Sequence, residues 1–176
     1  MRRVLLVDTN GHVIGSEELS KAHAGTGLLH RAFSVFIFRK GRNELLIQQR
    51  SAGKPLFPLL WANTCCSHLR EGETVKEAGV QRLKEELGIT CDLKEGPSFV
   101  YHAEDPQGNG AEFEYDTVLI GKVQGDPEIT PDPAEVNAFR WVNVEELTKD
   151  MHLSPLSYAP WFHLGLPMIM HRTASK

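Results

Sequence analysis

At 176 residues, with 41% hydrophobic and 24% charged side chains, the chain suits one globular domain that buries a continuous core without disulfides. A net charge of −4 disfavours nucleic acid as a partner, so any anionic ligand has to be held by locally placed cations or a metal. Three cysteines, of which Cys65 and Cys66 are adjacent and Cys91 stands apart, suit a reducing cytoplasm better than a secreted disulfide framework. The apolar stretch at residues 4–7 ends at Asp8, too soon for a signal peptide, and no segment reaches the length of a membrane span. A cytoplasmic monomer is expected.

In chain order, residues 4–7 followed by Asp8-Thr9-Asn10-Gly11 predict a strand and a tight turn, with Val13 and Ile14 starting the return strand. Residues 32–38 are rich in β-formers, Gly41 and Asn43 supply a turn, and residues 44–49 return as the second arm of another hairpin. Gly53, Pro55 and Pro58 make residues 51–60 a loop. Over residues 74–87, Val75, Ala78, Leu83 and Leu87 recur at near-helical spacing, and Gly88 stands where a helix stops. Strands are expected at residues 99–102 and 113–123, across the turn-rich residues 105–110. A short strand at 139–142 and a short helix at 144–148 follow the prolines at 127, 131 and 133. Pro160 and Pro167 are expected to break up residues 155–171, although Trp161 and Phe162 must pack against something. Residues 172–176 read as a loose tail.

The segment from Glu71-Gly72-Glu73-Thr74 to Gln81-Arg82-Leu83-Lys84-Glu85-Glu86-Leu87-Gly88-Ile89 resembles the Nudix box, G-x5-E-x7-R-E-U-x-E-E-x-G-U with U aliphatic. Aligned on Glu85-Glu86-x-Gly88-Ile89, Glu73 falls on the first glutamate of the box and Ser67 on its first glycine. The resemblance implies a single compact α/β (α+β) domain over residues 1–176, with mixed β-sheets flanked by helices. It implies a catalytic core over about 28–162 and an N-terminal segment, 1–27, that contributes a metal ligand. Helix-borne carboxylates supply the oxygens that hard divalent cations prefer beside a diphosphate. The chain departs from the pattern at Gln81-Arg82, where Arg-Glu is expected, so one cation-binding carboxylate has become a cation. That thinning argues for retaining a diphosphate rather than hydrolysing it, and Arg82 is suited to holding a phosphate.

Beyond the box, four segments resemble the type 1 isopentenyl-diphosphate isomerases. They are His23 with His30-Arg31-Ala32-Phe33-Ser34, then Trp61-Ala62-Asn63-Thr64-Cys65-Cys66-Ser67-His68, then Tyr101 with Glu112-Phe113-Glu114, and last Pro160-Trp161. The resemblance implies that His23, His30, His68, Glu112 and Glu114 hold one divalent ion, manganese, zinc or magnesium. It implies a Mg²⁺ ion bridging the diphosphate and Glu86. Alternation along a strand puts Glu112 and Glu114 on one face, and Cys66 with His68 on one face if they share a strand. Cys65 then faces away, as inert packing.

The activity implied is interconversion of isopentenyl and dimethylallyl diphosphate, with the small prenyl diphosphate as the only partner. One proton adds to the terminal carbon, a tertiary carbocation-like state forms, and another proton leaves a neighbouring carbon. By resemblance Cys66 acts from one side and Glu114, with Tyr101 beside it, from the other. Trp161 covers the cation, to which an indole face offers about 0.5 to 2 kcal/mol without a nucleophilic atom. Arg50, Lys54 and Arg82 are expected at the diphosphate. Lys21 is a further candidate, its register loosened because the chain is short just before His23. Two rivals remain: a Nudix pyrophosphohydrolase using Glu73, Glu85 and Glu86 on a nucleotide-like diphosphate, and a non-catalytic metal or prenyl-diphosphate binding module.

Overall fold

The computed structural model describes residues 2–174. The hairpin β1 (Arg3–Val7) and β2 (Val13–Glu18) is closed by a turn in which Asp8 Oδ1 accepts the amides of Asn10 and His12, both at 2.9 Å. A single helical turn, α1 (Leu19–Ala22), too short to carry a periodic pattern, leads to His23. The second hairpin joins β3 (His30–Arg39) to β4 (Glu44–Arg50). Beyond the 51–60 loop come two short strands, β5 (Trp61–Ala62) and β6 (Cys65–His68).

The box helix is α2 (Val75–Leu87), opened by a capping box between Thr74 and Glu77 and stopped by Gly88 at φ 72°. β7 (Leu93–Glu104) starts at Leu93 rather than at residue 99, because a register shift between Glu95 and Ser98 lets the strand pass Pro97, which has no N–H for the ladder. β8 (Ala111–Val123) and β9 (Val136–Asn143) each run slightly beyond their expected bounds. α3 (Val144–Leu153) begins under an Asn143 cap and runs past residue 148.

The largest departure is α4 (Pro160–Ala174), a continuous helix where two prolines predict a break. Pro160 occupies the first helical position, where its missing N–H costs nothing. Pro167 does cost an internal bond, about 3 kcal/mol. Against that, Trp161, Phe162, Leu166 and Ile169 are all buried, at about 1.5 to 3 kcal/mol each, so packing prevails. Residues 172–174 are therefore helical, and the remaining tail residues, 175 and 176, lie outside the described residues.

All these strands join one branched sheet with β3 at its hub. β8 runs parallel along one edge of β3, from His30 opposite Glu114 to Arg39 opposite Val123. The other edge is shared in turn by β1 at His30, β6 at residues 32–35 and β4 at residues 37 and 38. The period of two on β3 sends Phe33, Val35 and Ile37 into the core under α2, and Phe36 into the core under α3 and α4. Among the described residues no helix is long and apolar enough to cross a membrane.

Candidate active site

On the α4 side of the sheet, where the N-terminal half of β3 lies between β6 and β8, five side chains converge. His23, His30, His68, Glu112 and Glu114 bring their donor atoms within 4.8 Å of one another. Glu112 and Glu114 share one face of β8, His30 starts β3 opposite Glu114, and His68 ends β6 opposite Ala32. His23 arrives from the other direction, just after α1. Its carbonyl accepts the Ala111 amide at 2.9 Å, and a Cβ on Gly110 would sit 2.2 Å from that oxygen, so only glycine allows the approach.

Within the cluster His23 Nε2 and His30 Nε2 are 3.3 Å apart, His68 Nε2 is 2.8 Å from Glu114 Oε1, and His23 Nε2 is 3.1 Å from Glu112 Oε2. His30 Nδ1–H donates to the Leu28 carbonyl at 2.7 Å, which turns Nε2 toward the centre, the orienting bond that metal-bound imidazoles use. Burial pushes the His68 imidazole down to about 3, so it stays neutral. Burial, then the Glu114 charge, raises Glu112, whereas at Glu114 the His30 and His68 bonds overcome burial and hold the carboxyl well below its usual range. Glu112 Oε2 is buried without a hydrogen bond of proper geometry. Imidazole nitrogens and carboxylate oxygens converging on one point, one oxygen orphaned, fit a divalent cation.

Beside the cluster opens a cavity of about 550 Å³, lined by Cys66, Tyr101, Trp161 and all of the five donors except His30. Cys66 and His68 share one face of β6, while Cys65 is fully buried toward α2. Cys66 on β6 and Glu114 on β8 stand on either side of β3, opposite Ser34 and His30 respectively. The Cys66 thiol donates to Asn63 Oδ1 at 3.1 Å and lies 3.3 Å from Ser34 Oγ; burial, then Asp116, pushes it up to about 12. The charged groups acting on it are the carboxylates of Asp116 and Glu114, so the positive neighbour that would favour a thiolate is lacking among the described residues. Tyr101 O–H donates to Glu114 Oε2 at 2.5 Å, and burial, then the Glu114 charge, raises the phenol well above its usual value. Trp161 lies 6.0 Å from Tyr101 between ring centroids, and the Arg50 guanidinium carbon sits 5.1 Å from its ring centroid.

The cationic end of the cavity carries Arg50, Lys54 and Arg82. Arg50 donates to the carbonyls of Phe57 and Leu56, bracing a loop in which Phe57 and Leu59 hold positive φ. Arg82 binds Glu85, Glu86 and Glu135, and Lys54 shares Glu135. Two candidates fall elsewhere. Lys21 is 63% exposed and turns to Glu17 at 3.7 Å and Glu18 at 3.6 Å, outside the cavity. Glu86 is buried behind Arg82 and accepts from Arg82 Nε at 2.6 Å and Gln48 at 2.9 Å, so neither oxygen faces the cavity as a free ligand.

Sequence reasoning missed four residues. Asn63 is fully buried; its amide donates to the Val35 and Cys65 carbonyls, which forces its oxygen toward Cys66 and Trp161 Nε1, both at 3.1 Å. Ser34 bridges Cys66 to Asp116, donating to Asp116 Oδ2 at 2.6 Å. Asp116 is two residues past Glu114 and so lies on the same face, the one signal that could have found it. Arg2 reaches the cavity from the start of the chain and donates to Ser67 Oγ.

Residues 28–162 match the NUDIX domain model, and the chain belongs to the Nudix family. Solved structures share the fold: DR0079 from Deinococcus radiodurans superposes with a TM-score of 0.71 at 19% identity, covering 95% of this chain and 99% of that one. A C. elegans Ap4A hydrolase gives 0.60 at 22% identity, over 83% of this chain and 98% of its own. A protein of Halorhodospira halophila named isopentenyl-diphosphate Delta-isomerase is 46% identical over 162 residues, 92% of this chain and 91% of its own. One of the same name from Nocardia farcinica is 46% identical over 158 residues, 90% of this chain and 89% of its own.

Proposed function

We infer that the chain interconverts isopentenyl and dimethylallyl diphosphate. The observation that carries this function is the single cavity in which Cys66 and the Tyr101–Glu114 pair flank the His/Glu cluster, with cations at the other end. The rearrangement delivers one proton to the terminal alkene carbon and removes one from the neighbouring carbon, so no net proton is consumed. Cys66 and Glu114 are the two groups that handle these protons, two strands apart, with the alkene between them. A divalent ion held by His23, His30, His68, Glu112 and Glu114 supplies positive charge that tunes the acidity of Glu114 and Tyr101. The donor set suits manganese, zinc or magnesium.

Asn63 holds the thiol, and Trp161 walls the cation from water, which would otherwise trap it as an alcohol. Arg50 lies over Trp161 and takes one of its ring faces, so the indole offers the other to the substrate. Arg50, Lys54 and Arg82 take the diphosphate, which competes with Glu135 for the last two. Glu86 would hold a Mg²⁺ ion beside the diphosphate only if Arg82 released that carboxylate. The names of the close relatives support the same activity. Free thiols at Cys65, Cys66 and Cys91 suit a reducing cytoplasm, and we take the working unit to be a monomer.

Hydrolysis is the poorer fit. Glu73 pairs with Arg70, Glu85 is tied to Gln81 and Arg82, and Glu86 is tied to Arg82, so the box carboxylates form no joint metal site among the described residues. The test is deuterium incorporation from heavy water into isopentenyl diphosphate, followed by NMR. The native chain is expected to label substrate and product, while Cys66→Ser and Glu114→Gln lose nearly all turnover and keep the native melt. Native-like exchange in either variant removes that residue from its role; release of phosphate with no new alkene shows a hydrolase.

A further inference from the structure

We propose that Arg2 is a diphosphate-binding residue of this chain, filling at the cavity mouth the place that the sequence pattern suggests for Lys21. The proposal rests on reading the cavity as a prenyl diphosphate site.

Arg2 immediately precedes β1, and its carbonyl accepts the Leu19 amide at 2.9 Å, so its backbone abuts the first turn of α1. That is the helix that carries Lys21, and the two side chains part there. The Lys21 ammonium leaves for Glu17 and Glu18 in solvent, whereas the Arg2 guanidinium crosses to β6 and donates to Ser67, the residue between Cys66 and His68. Arg2 thereby lines the same cavity as Arg50, Lys54 and Arg82.

Its electrostatic position resembles that of Arg50, whose printed partners are backbone carbonyls, and differs from that of Arg82 and Lys54. Arg82 has three carboxylate partners and Lys54 has Glu135, but among the described residues no carboxylate lies within 4.0 Å of Arg2. Burial, and next the neighbouring Arg82 guanidinium, push the Arg2 pKa down. A guanidinium does not deprotonate at working pH, so in the empty cavity Arg2 is a confined cation facing a like charge. A diphosphate relieves that repulsion and accepts the planar fork bidentately. No other carboxylate needs to be displaced first, unlike at Arg82 and Lys54. The Ser67 hydroxyl fixes the guanidinium where β6 borders the cavity.

The test uses the full, metal-loaded chain and four variants, Arg2→Ala, Arg2→Lys, Lys21→Ala and Arg50→Ala. Calorimetry measures inorganic pyrophosphate binding with Mg²⁺, kinetics give kcat and KM for isopentenyl diphosphate, and thermal melts report the fold. Arg2→Ala is expected to weaken pyrophosphate by about tenfold to a hundredfold and to raise KM in step, with kcat within a few-fold. Arg2→Lys restores part of the loss by its charge, and Lys21→Ala stays within about twofold.

An arginine that only braces β6 against β1 would shift the melt of Arg2→Ala and leave both affinities unchanged, which overturns the proposal. Equal losses in Lys21→Ala and Arg2→Ala overturn it too. If Arg2→Ala binds normally while Arg50→Ala does not, the assignment of Arg2 fails and the diphosphate cavity stands. If Arg50→Ala is also silent, the diphosphate lies elsewhere and both fall together.

Discussion

Replacing Asn63 by leucine, which has the same branching of side-chain heavy atoms, should damage both stability and turnover, and the structure sets the scale. The amide makes four hydrogen bonds with no exposure to water: two donated to the Val35 and Cys65 carbonyls, two accepted from the Cys66 thiol and the Trp161 indole. Each is worth about 1 kcal/mol net, and the stranded carbonyls and indole N–H carry desolvation penalties that leucine burial only partly offsets. The expected loss is about 4 kcal/mol, which for a chain of this size lowers the melting temperature by about 8 to 16 °C. Turnover should fall by on the order of a hundredfold even well below the new melting point, because thiol and indole lose the acceptor that fixes both. Urea titration and calorimetry measure the first effect, and steady-state kinetics at 15 °C the second. A variant within 1 kcal/mol of native would show that these bonds do not hold the site together. Native kcat at that temperature would show that Asn63 does not position Cys66.

Ser34→Ala removes the hydroxyl that satisfies buried Asp116 and should cost about 1 to 3 kcal/mol in urea titration, with a fall in kcat at unchanged KM. Mn²⁺, Zn²⁺ or Mg²⁺ at a hundred times its Kd should stabilise the chelator-stripped native chain by about 2.7 kcal/mol in thermal melts, and His68→Ala should abolish the response. At Glu135 burial acts upward, but Lys54 and Arg82 outweigh it and hold the folded carboxyl below its usual range. Its stabilising contribution is therefore present above the unfolded value of about 4.5 and is lost as pH falls through the folded value. Glu135→Gln should destabilise the chain at pH 7, and its difference from native in urea titration should fade as pH falls from the unfolded value of about 4.5 through the lower folded one.

What could be read in advance follows from the range over which each signal acts. Periods of two and 3.6 are local, so α2, the β3–β4 hairpin and the shared faces of Glu112 with Glu114 and Cys66 with His68 were all accessible from spacing. The prolines misled at α4 because a local cost of about 3 kcal/mol is visible in sequence while the burial that exceeds it is not. Lys21 failed for a related reason: with only four residues in α1, a one-residue change of spacing turns a side chain by about 100°, from cavity to solvent. Asn63 comes from the connection between β5 and β6, Ser34 from β3 and Asp116 from β8, and nothing in their spacing announces the network that joins them.

The same frame explains how a fold shared with hydrolases supports an isomerase. In the box helix, Arg82 stands where a carboxylate is expected and neutralises Glu85 and Glu86, so α2 presents the cavity with a cation that holds phosphate. The His/Glu cluster that could hold a metal sits instead on β3, β6, β8 and the turn after α1, beside the same cavity. On the proposed function, an ion there would polarise groups that handle protons at carbon, and the guanidinium and ammonium groups at the other end would bind the diphosphate without activating water toward phosphorus. Restoring the missing box carboxylate alone, by Arg82→Glu, should therefore yield no hydrolase. It leaves Glu86 buried against a like charge and strips the diphosphate end of a cation, so the variant should lose affinity for pyrophosphate and release no phosphate from isopentenyl diphosphate. A variant that did release phosphate would show that the carboxylates of α2, rather than the cluster on the sheet, decide which bond is broken.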